Sequence, residues 1–471
     1  MNICIIGTGA SGWIACTMLK KLKFIKKITI IGSSKIPTIG VGESTTLNFV
    51  YSVLDNLELN KFVQETDATI KYGVYYKNWS KRDFLYYFTH EIDEKWENVI
   101  SLGNKDKNTH IHDLRGNKLW NFIQKNHVSL DGQKYNHAWH FDAGKFINFL
   151  KKINLEDDRV NFIDDTIIDC KFIEDGVEYI VGETNKKYIA DYFVNCCGEN
   201  FLNEKVFKEK YVSLSPYLLT NKAIGYPLKY TNKRDQFHPY TVSKTMNCGW
   251  RWITPTQSRI GTGYVFSDNH ISVDEAINEF IEDIGDKTIE PFVVNFNPRY
   301  NKRTFKPNSC TVGMANGFLE PLDAPGLSLS IDGIKFLTYL LKLKNKNDSN
   351  YFTVLEKLNN NLIFTQKLWA SFILHQYKTS WRDDTQFWID HKNVNCYFYE
   401  KTFDISFRRF SFDKKFYNTL YNLSLDAPSI FFTTAAKDIQ WNSKIKEIPI
   451  AVKLPDTETI HHLDYIQRFY D

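Results

Sequence analysis

The chain has no strong excess of charge of either sign. Its 471 residues give a formal net charge of +4, and lysines alternate with acidic and aromatic residues, so no sustained basic block is present. Proteins that bind the phosphate backbone of nucleic acids concentrate Lys and Arg on one surface. The charge pattern therefore argues against a nucleic-acid partner.

Regular cysteine spacing is also missing. The eight cysteines form no C-x-x-C pair and no Cys/His set at zinc-ligand spacing, and Cys196 and Cys197 are adjacent. Structural zinc sites and disulfide frameworks both depend on such spacings. We therefore expect reduced thiols and no metal centre.

Long apolar runs, linkers and repeats are absent as well. No run reaches the ~18 residues that a membrane span needs, and residues 1–12 lack the charged and apolar regions of a secretory signal. No Gly/Ser- or Pro-rich linker, internal repeat or low-complexity tract divides the chain. We expect a cytoplasmic enzyme without membrane association, with residues 1–471 folded as one interwoven unit.

The amino-terminal residues have the pattern of a strand, a glycine-rich turn, a helix and a second strand. A segment with helical apolar spacing lies between two short apolar runs, in the order 2–6, 11–22 and 28–31. The turn contains three glycines. Gly7 permits a tight bend, Gly9 lets the backbone approach a pyrophosphate, and Gly12 allows the helix to pack closely on the strand. The pattern predicts a doubly wound α/β fold with a dinucleotide at the helix amino terminus. A purely structural glycine turn is the alternative.

One usual component of such a site is missing. An acidic residue about 20 residues after the glycines normally binds a ribose hydroxyl. Here that position is Gly32, with Ser33 and Ser34 beside it. Ribose recognition must therefore come from elsewhere in the chain.

The periodicity of the remaining chain changes twice. Residues 160–194 alternate apolar and polar positions in short runs, which predicts a strand-rich insertion that returns to the main sheet. From Asp332 onward, through residues 355–374, the apolar spacing is helical. The carboxy-terminal third is therefore predicted to be a helical cover.

Longer motifs follow one another over residues 1–390. They are Gly12-Trp13, Ile39 to Thr45, Lys71-Tyr72-Gly73 with Asn78-Trp79, His140 to Ala143, Asp191 to Gly198, Gly249 to Pro255, Phe318 to Gly326 and Trp381 to Trp388. In this order they resemble the motifs of the flavin-dependent tryptophan halogenase family. The segment with Trp250, Trp252 and Pro255 is the most discriminating, although Thr254 stands where isoleucine is usual.

The resemblance implies a Rossmann-type FAD-binding fold of the flavin monooxygenase/halogenase type. It places FAD binding mainly in 1–75, 140–200 and 300–345, and substrate binding mainly in 76–139, 201–299 and 346–471. It also implies FAD as FADH2 from a separate flavin reductase, O2 and a halide ion, which together give hypohalous acid. The expected substrate is a small electron-rich aromatic molecule of the phenol or indole kind, and a homo-oligomer is left open.

The same resemblance assigns roles to individual residues. The FAD contacts are Gly7, Gly9, Ala10, Ser11, Gly12, Trp13, Gly40, Val41, Gly42, Glu43, Ser44, Gly198 and Leu327. Lys71 matches the family lysine between the flavin and substrate chambers, where its ammonium polarises hypohalous acid or, after losing a proton, accepts the halogen. An exposed strand lysine is the alternative.

A carboxylate is expected beside the halogenated carbon, because the substituted ring is cationic and must lose a proton. By resemblance this carboxylate is Asp323, one methylene shorter than the family's glutamate. Glu320 is the second candidate, and a structural role in ordering the loop through backbone hydrogen bonds is an alternative for it.

The halide site departs from the family pattern. The resemblance places two halide-binding backbone amides at Pro325 and Gly326, and proline has no N–H to donate. We therefore predict a preference for bromide or iodide, which are less strongly hydrated than chloride and easier to oxidise.

Other motif residues are given structural roles. Trp250, Trp252 and Pro255 are expected to separate the two chambers. His90, His137 and His140 have no partners that the sequence can identify, so we assign them no catalytic role.

Two other functions share part of this evidence. A flavin hydroxylase would share the glycine turn but would not need Lys71 or the tryptophan pair, and it would reduce its own flavin with NAD(P)H. A non-catalytic flavin-binding protein is the other alternative, in which Asp323 and Pro325 reflect a loss of catalytic activity.

Overall fold

The computed structural model describes residues 1–36, 43–80, 83–88, 123, 125–130, 136–174, 176–198, 202–399 and 458–470. Within these ranges the helices are α1 Ala10–Leu19, α2 Leu47–Ser52, α3 Leu59–Thr66, α4 Ala143–Leu155, α5 Lys233–Gln236, α6 Val273–Ile284, α7 Pro325–Asn345, α8 Tyr351–Lys378, α9 Gln386–Asn393 and α10 His462–Gln467.

The strands in the same ranges are β1 Asn2–Ile6, β2 Lys27–Gly32, β3 Glu43–Ser44, β4 Thr69–Lys71, β5 Gly73–Lys77, β6 Phe84–Tyr87, β7 His127–Ser129, β8 Ala138–Phe141, β9 Val160–Asp164, β10 Ile167–Ile173, β11 Gly176–Gly182, β12 Lys187–Tyr188, β13 Tyr192–Asn195, β14 Tyr211–Ser213, β15 Lys222–Leu228, β16 Thr241–Met246, β17 Gly249–Pro255, β18 Ile260–Phe266, β19 Phe292–Asn295, β20 Arg299–Asn301, β21 Phe305–Lys306, β22 Ser309–Thr311, β23 Gly317–Phe318 and β24 Thr459–His461. Short 3₁₀ or π turns occupy Leu54–Asn56, Leu202–Val206 and Gly313–Ala315.

The first large sheet has the order β21-β22-β13-β1-β2-β9. Its strands are parallel except at the β21–β22 hairpin. One face of β1 and β2 is buried in the apolar core that includes residues of α1, α4 and α7. The opposite face, with Cys4, Ile6 and Ile31, is buried in a separate cluster with residues of β10 and β11. The predicted strand–helix–strand opening is confirmed, although α1 ends at Leu19 and not at Leu22.

The strand-rich insertion is also confirmed. Strands β10, β11 and β12 form a separate antiparallel sheet. The chain then returns as β13, which pairs in parallel with β1. The insertion therefore leaves and rejoins the first large sheet without interrupting it.

The second large sheet has the order β19-β15-β18-β17-β16-β5-β6. A small antiparallel sheet has the order β3-β8-β4, and we call it the bridging sheet. Only Tyr72 separates β4 of the bridging sheet from β5 of the second sheet. The bridging sheet is thus covalently continuous with the second sheet at a single residue.

Helices α7 to α9 follow the sheets. The prediction that helical structure begins at Asp332 was wrong, because α7 already begins at Pro325. Proline is favoured at the first position of a helix, where no N–H is needed, so Pro325-Gly326 starts the helix instead of preceding it. Helix α8 covers the predicted 355–374 segment. Residues 400–457 of the predicted cover lie outside the described residues.

The described ranges contain neither a candidate membrane-spanning helix nor a candidate metal site. None of their helices combines the length and the apolar character that crossing a membrane requires. In the same residues, no three His, Cys, Asp or Glu side chains are grouped so as to hold a metal ion.

Candidate active site

The glycine turn between β1 and α1 is crowded at two positions and open at the third. Gly7 has φ +109°, and a Cβ there would lie 2.3 Å from the Cys196 carbonyl oxygen. A Cβ on Gly12 would lie 2.0 Å from the Gly7 carbonyl oxygen, whereas a Cβ on Gly9 would meet nothing within 4 Å. These environments fit a pyrophosphate that approaches the backbone at Gly9.

The amino terminus of α1 adjoins that of α7. Gly9 is the residue before α1 and has no side chain to cap the first turn, which contains Ala10, Ser11 and Gly12. Ser11 Oγ donates to Ser330 Oγ at 3.2 Å, and Ser330 Oγ donates to the Gly326 carbonyl at 2.7 Å. The first turns of both helices, including Leu327 of α7, therefore lie beside the glycine turn with their partial positive charges.

Two other predicted FAD contacts differ in their surroundings. Trp13 is 1% exposed, and its ring centroid lies 6.5 Å from that of Phe162 within the core. Gly198 has φ +77°, and a Cβ on it would meet nothing within 4 Å. Trp13 thus packs inside the protein, whereas Gly198 borders open space.

An acidic residue that sequence reasoning missed lies at the end of the neighbouring strand. Gly32 ends β2 and pairs in parallel with Asp164, the last residue of β9. The Asp164 carboxylate is exposed, and Oδ1 accepts from the Ser34 amide at 2.9 Å. The hydrogen bonds from Ser34 lower the pKa of the Asp164 carboxyl. A carboxylate is therefore present at the sheet edge where the glycine pattern usually supplies one from β2.

The glycine-rich motif before β3 is described only in part. Gly40, Val41 and Gly42 lie outside the described residues. Glu43 and Ser44 form β3 and pair with Phe141 and His140 of β8. Ser44 is thereby placed in the bridging sheet, in which Lys71 also lies.

Lys71 ends β4 and is buried. Its side chain is 1% exposed, which contradicts the alternative of an exposed strand lysine. Nζ donates to Ser44 Oγ at 2.7 Å and to the Thr45 carbonyl at 2.9 Å, and it lies 5.3 Å from the Phe88 ring centroid. These groups solvate the ammonium inside the protein.

The hydrogen bonds continue from Ser44 to a buried histidine. Ser44 Oγ lies 3.0 Å from Thr241 Oγ1, which lies 2.8 Å from His140 Nε2. Burial, reinforced by the Lys71 charge, lowers the pKa of His140 well below its ordinary value. Sequence spacing could not identify these partners, because they come from three separate strands. The one signal in the sequence was the place of His140 in the His140–Ala143 motif.

Glu320 is fully buried in a set of donors. Its carboxylate accepts hydrogen bonds from Thr220 Oγ1 at 2.5 Å, from Trp250 Nε1 at 3.2 Å and from the Tyr377 hydroxyl at 3.0 Å. Burial raises the pKa of the Glu320 carboxyl to about 7, although these hydrogen bonds oppose the change. These side-chain hydrogen bonds give Glu320 a structural role, whereas the predicted loop-ordering alternative named backbone hydrogen bonds.

Asp323 lies at the start of α7 in a different environment. Its Oδ2 accepts a hydrogen bond from the Tyr76 hydroxyl of β5. Asp323 and Ala324 both have left-handed backbone conformations, with φ of +61° and +58°. Aspartate tolerates this region better than alanine does, so the pair imposes local strain just before the helix.

Trp79 connects the tyrosines that contact the two carboxylates. Its ring centroid lies 5.7 Å from Tyr76 and 5.4 Å from Tyr377. The Trp79 indole N–H donates to the Ser243 carbonyl at 3.0 Å, which fixes the ring. Glu320 and Asp323 are therefore neighbours across one aromatic cluster.

The start of α7 determines which amides are available to an anion. Pro325 occupies the first helical position and has no N–H, so Gly326 and Leu327 provide the first amide groups of the helix. Gly326 has space on its Cα side, since a Cβ would meet only the Phe318 ring, at 4.0 Å.

The tryptophan motif forms part of a strand inside the protein. Trp250 and Trp252 on β17 are 2% and 9% exposed, and their ring centroids are 6.3 Å apart. Pro255 ends the same strand, and its carbonyl accepts from Thr69 Oγ1 at 2.7 Å. The motif therefore contacts the Glu320 carboxylate at one end and β4 at the other.

Comparison of the sequence with known proteins identifies one family. The family model described as tryptophan halogenase matches residues 2–420. The tryptophan 7-halogenase RebH of Lentzea aerocolonigenes is 27% identical over 485 residues, covering 91% of this chain and 91% of that protein. The tryptophan 6-halogenase ThaL of Streptomyces albogriseolus is 27% identical over 426 residues, covering 83% of this chain and 79% of its own.

Solved structures share the fold. A tryptophan halogenase from Shewanella frigidimarina superimposes with a TM-score of 0.80 at 21% identity, covering 100% of this chain and 93% of that one. The flavin-dependent halogenase BrvH from Brevundimonas sp. BAL3 gives a TM-score of 0.77 at 22% identity, covering 99% and 94% of the two chains. The predicted fold class is therefore confirmed.

Proposed function

The chain belongs to the tryptophan halogenase family, whose members are flavin-dependent enzymes, and on that premise we propose that it uses FADH2, O2 and a halide ion to make hypohalous acid. The acid would then halogenate a small electron-rich aromatic molecule of the phenol or indole kind. A separate flavin reductase would supply FADH2. The observation that carries the proposal is the buried Lys71 ammonium, since a cation is rarely buried without a partner or a chemical task.

We infer that FAD is held where the two helix amino termini meet. When bound, FAD supplies the oxidising power of the reaction. The open space over Gly9 and the first turn of α1 would receive its pyrophosphate. The exposed Asp164 carboxylate would accept hydrogen bonds from a ribose hydroxyl, in place of the missing acidic residue at Gly32.

Lys71 would act on hypohalous acid from the bridging sheet. Its ammonium can donate a hydrogen bond to the acid and polarise the bond between oxygen and halogen, or the neutral amine can accept the halogen. Burial excludes water, which would otherwise compete for the reagent. The contacts to Ser44 and Thr45 hold the nitrogen in one position. In either role, the lysine nitrogen therefore contacts hypohalous acid at a fixed position.

Asp323, and not Glu320, is proposed as the carboxylate that removes the ring proton. All three donors around Glu320 belong to the protein, so its oxygens are already engaged in holding Trp250, Thr220 and Tyr377. Asp323 is partly exposed and contacts Tyr76 on the strand that follows Lys71. Asp323→Asn should therefore abolish halogenation, whereas Glu320→Gln should retain most of it.

The proposed halide preference follows from the start of α7. Without an N–H at Pro325, a halide there receives one backbone donor fewer than a site with two amides. The missing hydrogen bond weakens the binding of chloride most, because chloride is the most costly of the three halides to dehydrate. Product analysis with equimolar chloride, bromide and iodide should show mainly bromination or iodination, and dominant chlorination would contradict the proposal.

The function itself can be tested with a substrate panel. The purified protein, FAD, a separate flavin reductase, NADH and bromide are incubated with phenols and indoles, and products are identified by mass spectrometry. We expect brominated products that disappear when Lys71 is replaced by Met, while FAD binding is retained. Oxygenated products without halogen, or rapid reduction of the bound flavin by NADH alone, would indicate a hydroxylase instead.

A further inference from the structure

We propose that His140 is a positioning residue that accepts the proton released by Lys71, through the hydroxyl groups of Ser44 and Thr241. The inference rests on the proposed function, because it concerns the protonation of the lysine that acts on hypohalous acid. It assigns a role to a histidine for which sequence patterns suggested none.

The register of two sheets brings these groups into a row. Ser44 and Thr69 are the cross-strand neighbours of His140 in the bridging sheet. Thr241 begins β16 of the second large sheet and closes the gap between Ser44 and His140. The successive distances are 2.7 Å from Lys71 Nζ to Ser44 Oγ, 3.0 Å to Thr241 Oγ1 and 2.8 Å to His140 Nε2.

The two ends of this row determine the direction of every hydrogen bond. An ammonium can only donate, so Ser44 Oγ accepts from Lys71 and its own hydrogen is available to Thr241. At the other end, Thr69 Oγ1 donates to the Pro255 carbonyl, which can only accept. Thr69 can then only accept from His140 Nδ1, at 3.4 Å. His140 therefore has its proton on Nδ1, and Nε2 presents a lone pair to Thr241.

The electrostatics favour a neutral imidazole while Lys71 is charged. His140 is 0% exposed, and its pKa is lowered by burial and by the Lys71 ammonium. Among the described residues, the other titratable groups near it are His238 and His462. Burial lowers the pKa of His238 to about 4 and that of His462 to about 3. Both are uncharged at neutral pH, so in the described part of the chain Lys71 is the charged group that lowers the His140 pKa. Loss of the Lys71 charge removes this contribution, while the larger effect of burial remains.

The proposed proton transfer balances the chemistry of Lys71. One ammonium proton first passes along the two hydroxyls to His140 Nε2, which leaves a lone pair on the lysine nitrogen. The neutral amine then forms a bond to the halogen of hypohalous acid while the bond between oxygen and halogen breaks. The released hydroxide takes a second proton from the nitrogen and becomes water. After the halogen moves to the aromatic ring, the amine gains a proton equivalent to the one the ring loses. His140 then returns its proton and restores the ammonium.

Enzyme kinetics separate proton acceptance from a purely structural role. His140→Gln keeps an amide oxygen that can accept from Thr241 but has no basic nitrogen. We expect its halogenation rate to fall about 100-fold at pH 7, and to recover by about tenfold per pH unit because hydroxide, whose concentration rises tenfold per unit, then takes the proton in place of His140. Thr241→Val should show the same loss. Thr365→Val, which removes a buried hydroxyl bonded within its own helix, should stay close to the parent rate.

Nitrogen-15 NMR of the histidines tests the same inference without flavin or substrate. The His140 signal is identified by its absence in the His140→Gln variant. We expect protonated Nδ1 and unprotonated Nε2, and a higher His140 pKa in Lys71→Met because the neighbouring cation is gone.

A tautomer protonated on Nε2 would overturn the proposal, because the row would then run in the wrong direction. A His140→Gln enzyme with the parent rate and pH profile would also overturn it. If no substrate is halogenated by the parent protein, the proposed function fails. The NMR measurement alone then tests the hydrogen-bond direction and the His140 protonation that the inference requires.

Discussion

Replacing Glu320 by Gln should change how the stability of the protein depends on pH. Burial raises the pKa of this carboxyl from 4.5 to about 7 in the folded protein, so the fold holds the proton more tightly than the unfolded chain does. The stabilising effect of the protonated form is complete below pH 4.5 and is lost as the pH rises through about 7. One unit of pKa corresponds to about 1.4 kcal/mol, so the whole effect is about 3 kcal/mol.

The measurement compares the free energies of unfolding of the two proteins. Equilibrium denaturation in urea, followed by tryptophan fluorescence, is carried out at intervals between pH 4.5 and 8. Relative to the variant, the parent protein should lose about 3 kcal/mol of stability across this range. Glu178→Gln, which removes an exposed negative charge from β11, serves as the control and should follow the parent curve. Parallel curves for the parent and Glu320→Gln would refute the reasoning, because the buried carboxyl would then titrate as it does in the unfolded chain.

The remaining predictions concern catalysis and binding. Lys71→Met should reduce halogenation at least about 100-fold with FAD affinity unchanged, whereas Lys77→Met, at an exposed position of the next strand, should have little effect in the same assay. Asp164→Asn should weaken FAD binding about tenfold in fluorescence titrations, because a charged hydrogen bond is lost; equal weakening by Asp158→Asn, an exposed position before β9, would point to charge in general. Pro325→Thr, which adds a backbone N–H, should raise the chlorinated share of products about tenfold in a chloride–bromide competition, and an unchanged ratio would contradict the proposed halide site.

The opening of the fold could be predicted from local sequence alone. The strand, glycine turn and helix at residues 2–22 depend on apolar spacing and on glycines whose Cβ atoms would collide with nearby backbone. The same local signals failed at the start of α7. Pro325 and Gly326 suggest a loop, and only the structure shows that the proline occupies the first turn of a helix.

Features that depend on strand pairing could not be predicted. Asp164 lies beside Gly32 only because β9 pairs in parallel with β2, and the two residues are far apart in sequence. His140 likewise acquires its partners from β3, β4 and β16. The burial of Lys71 was anticipated through the family motif and not through any property of the residue itself.

The bridging sheet has a consequence for engineering by recombination. Its strands hold Ser44, Lys71 and His140 in a fixed register, and β4 passes into the second large sheet with a single intervening residue. A chimera that exchanges strands β15 to β19 of the second sheet with those of a relative would keep this register only if its junctions avoid 43–77 and 138–141. Junctions placed outside these stretches would change the residues that contact the substrate, while the surroundings of Lys71 within 43–77 and 138–141 would stay the same.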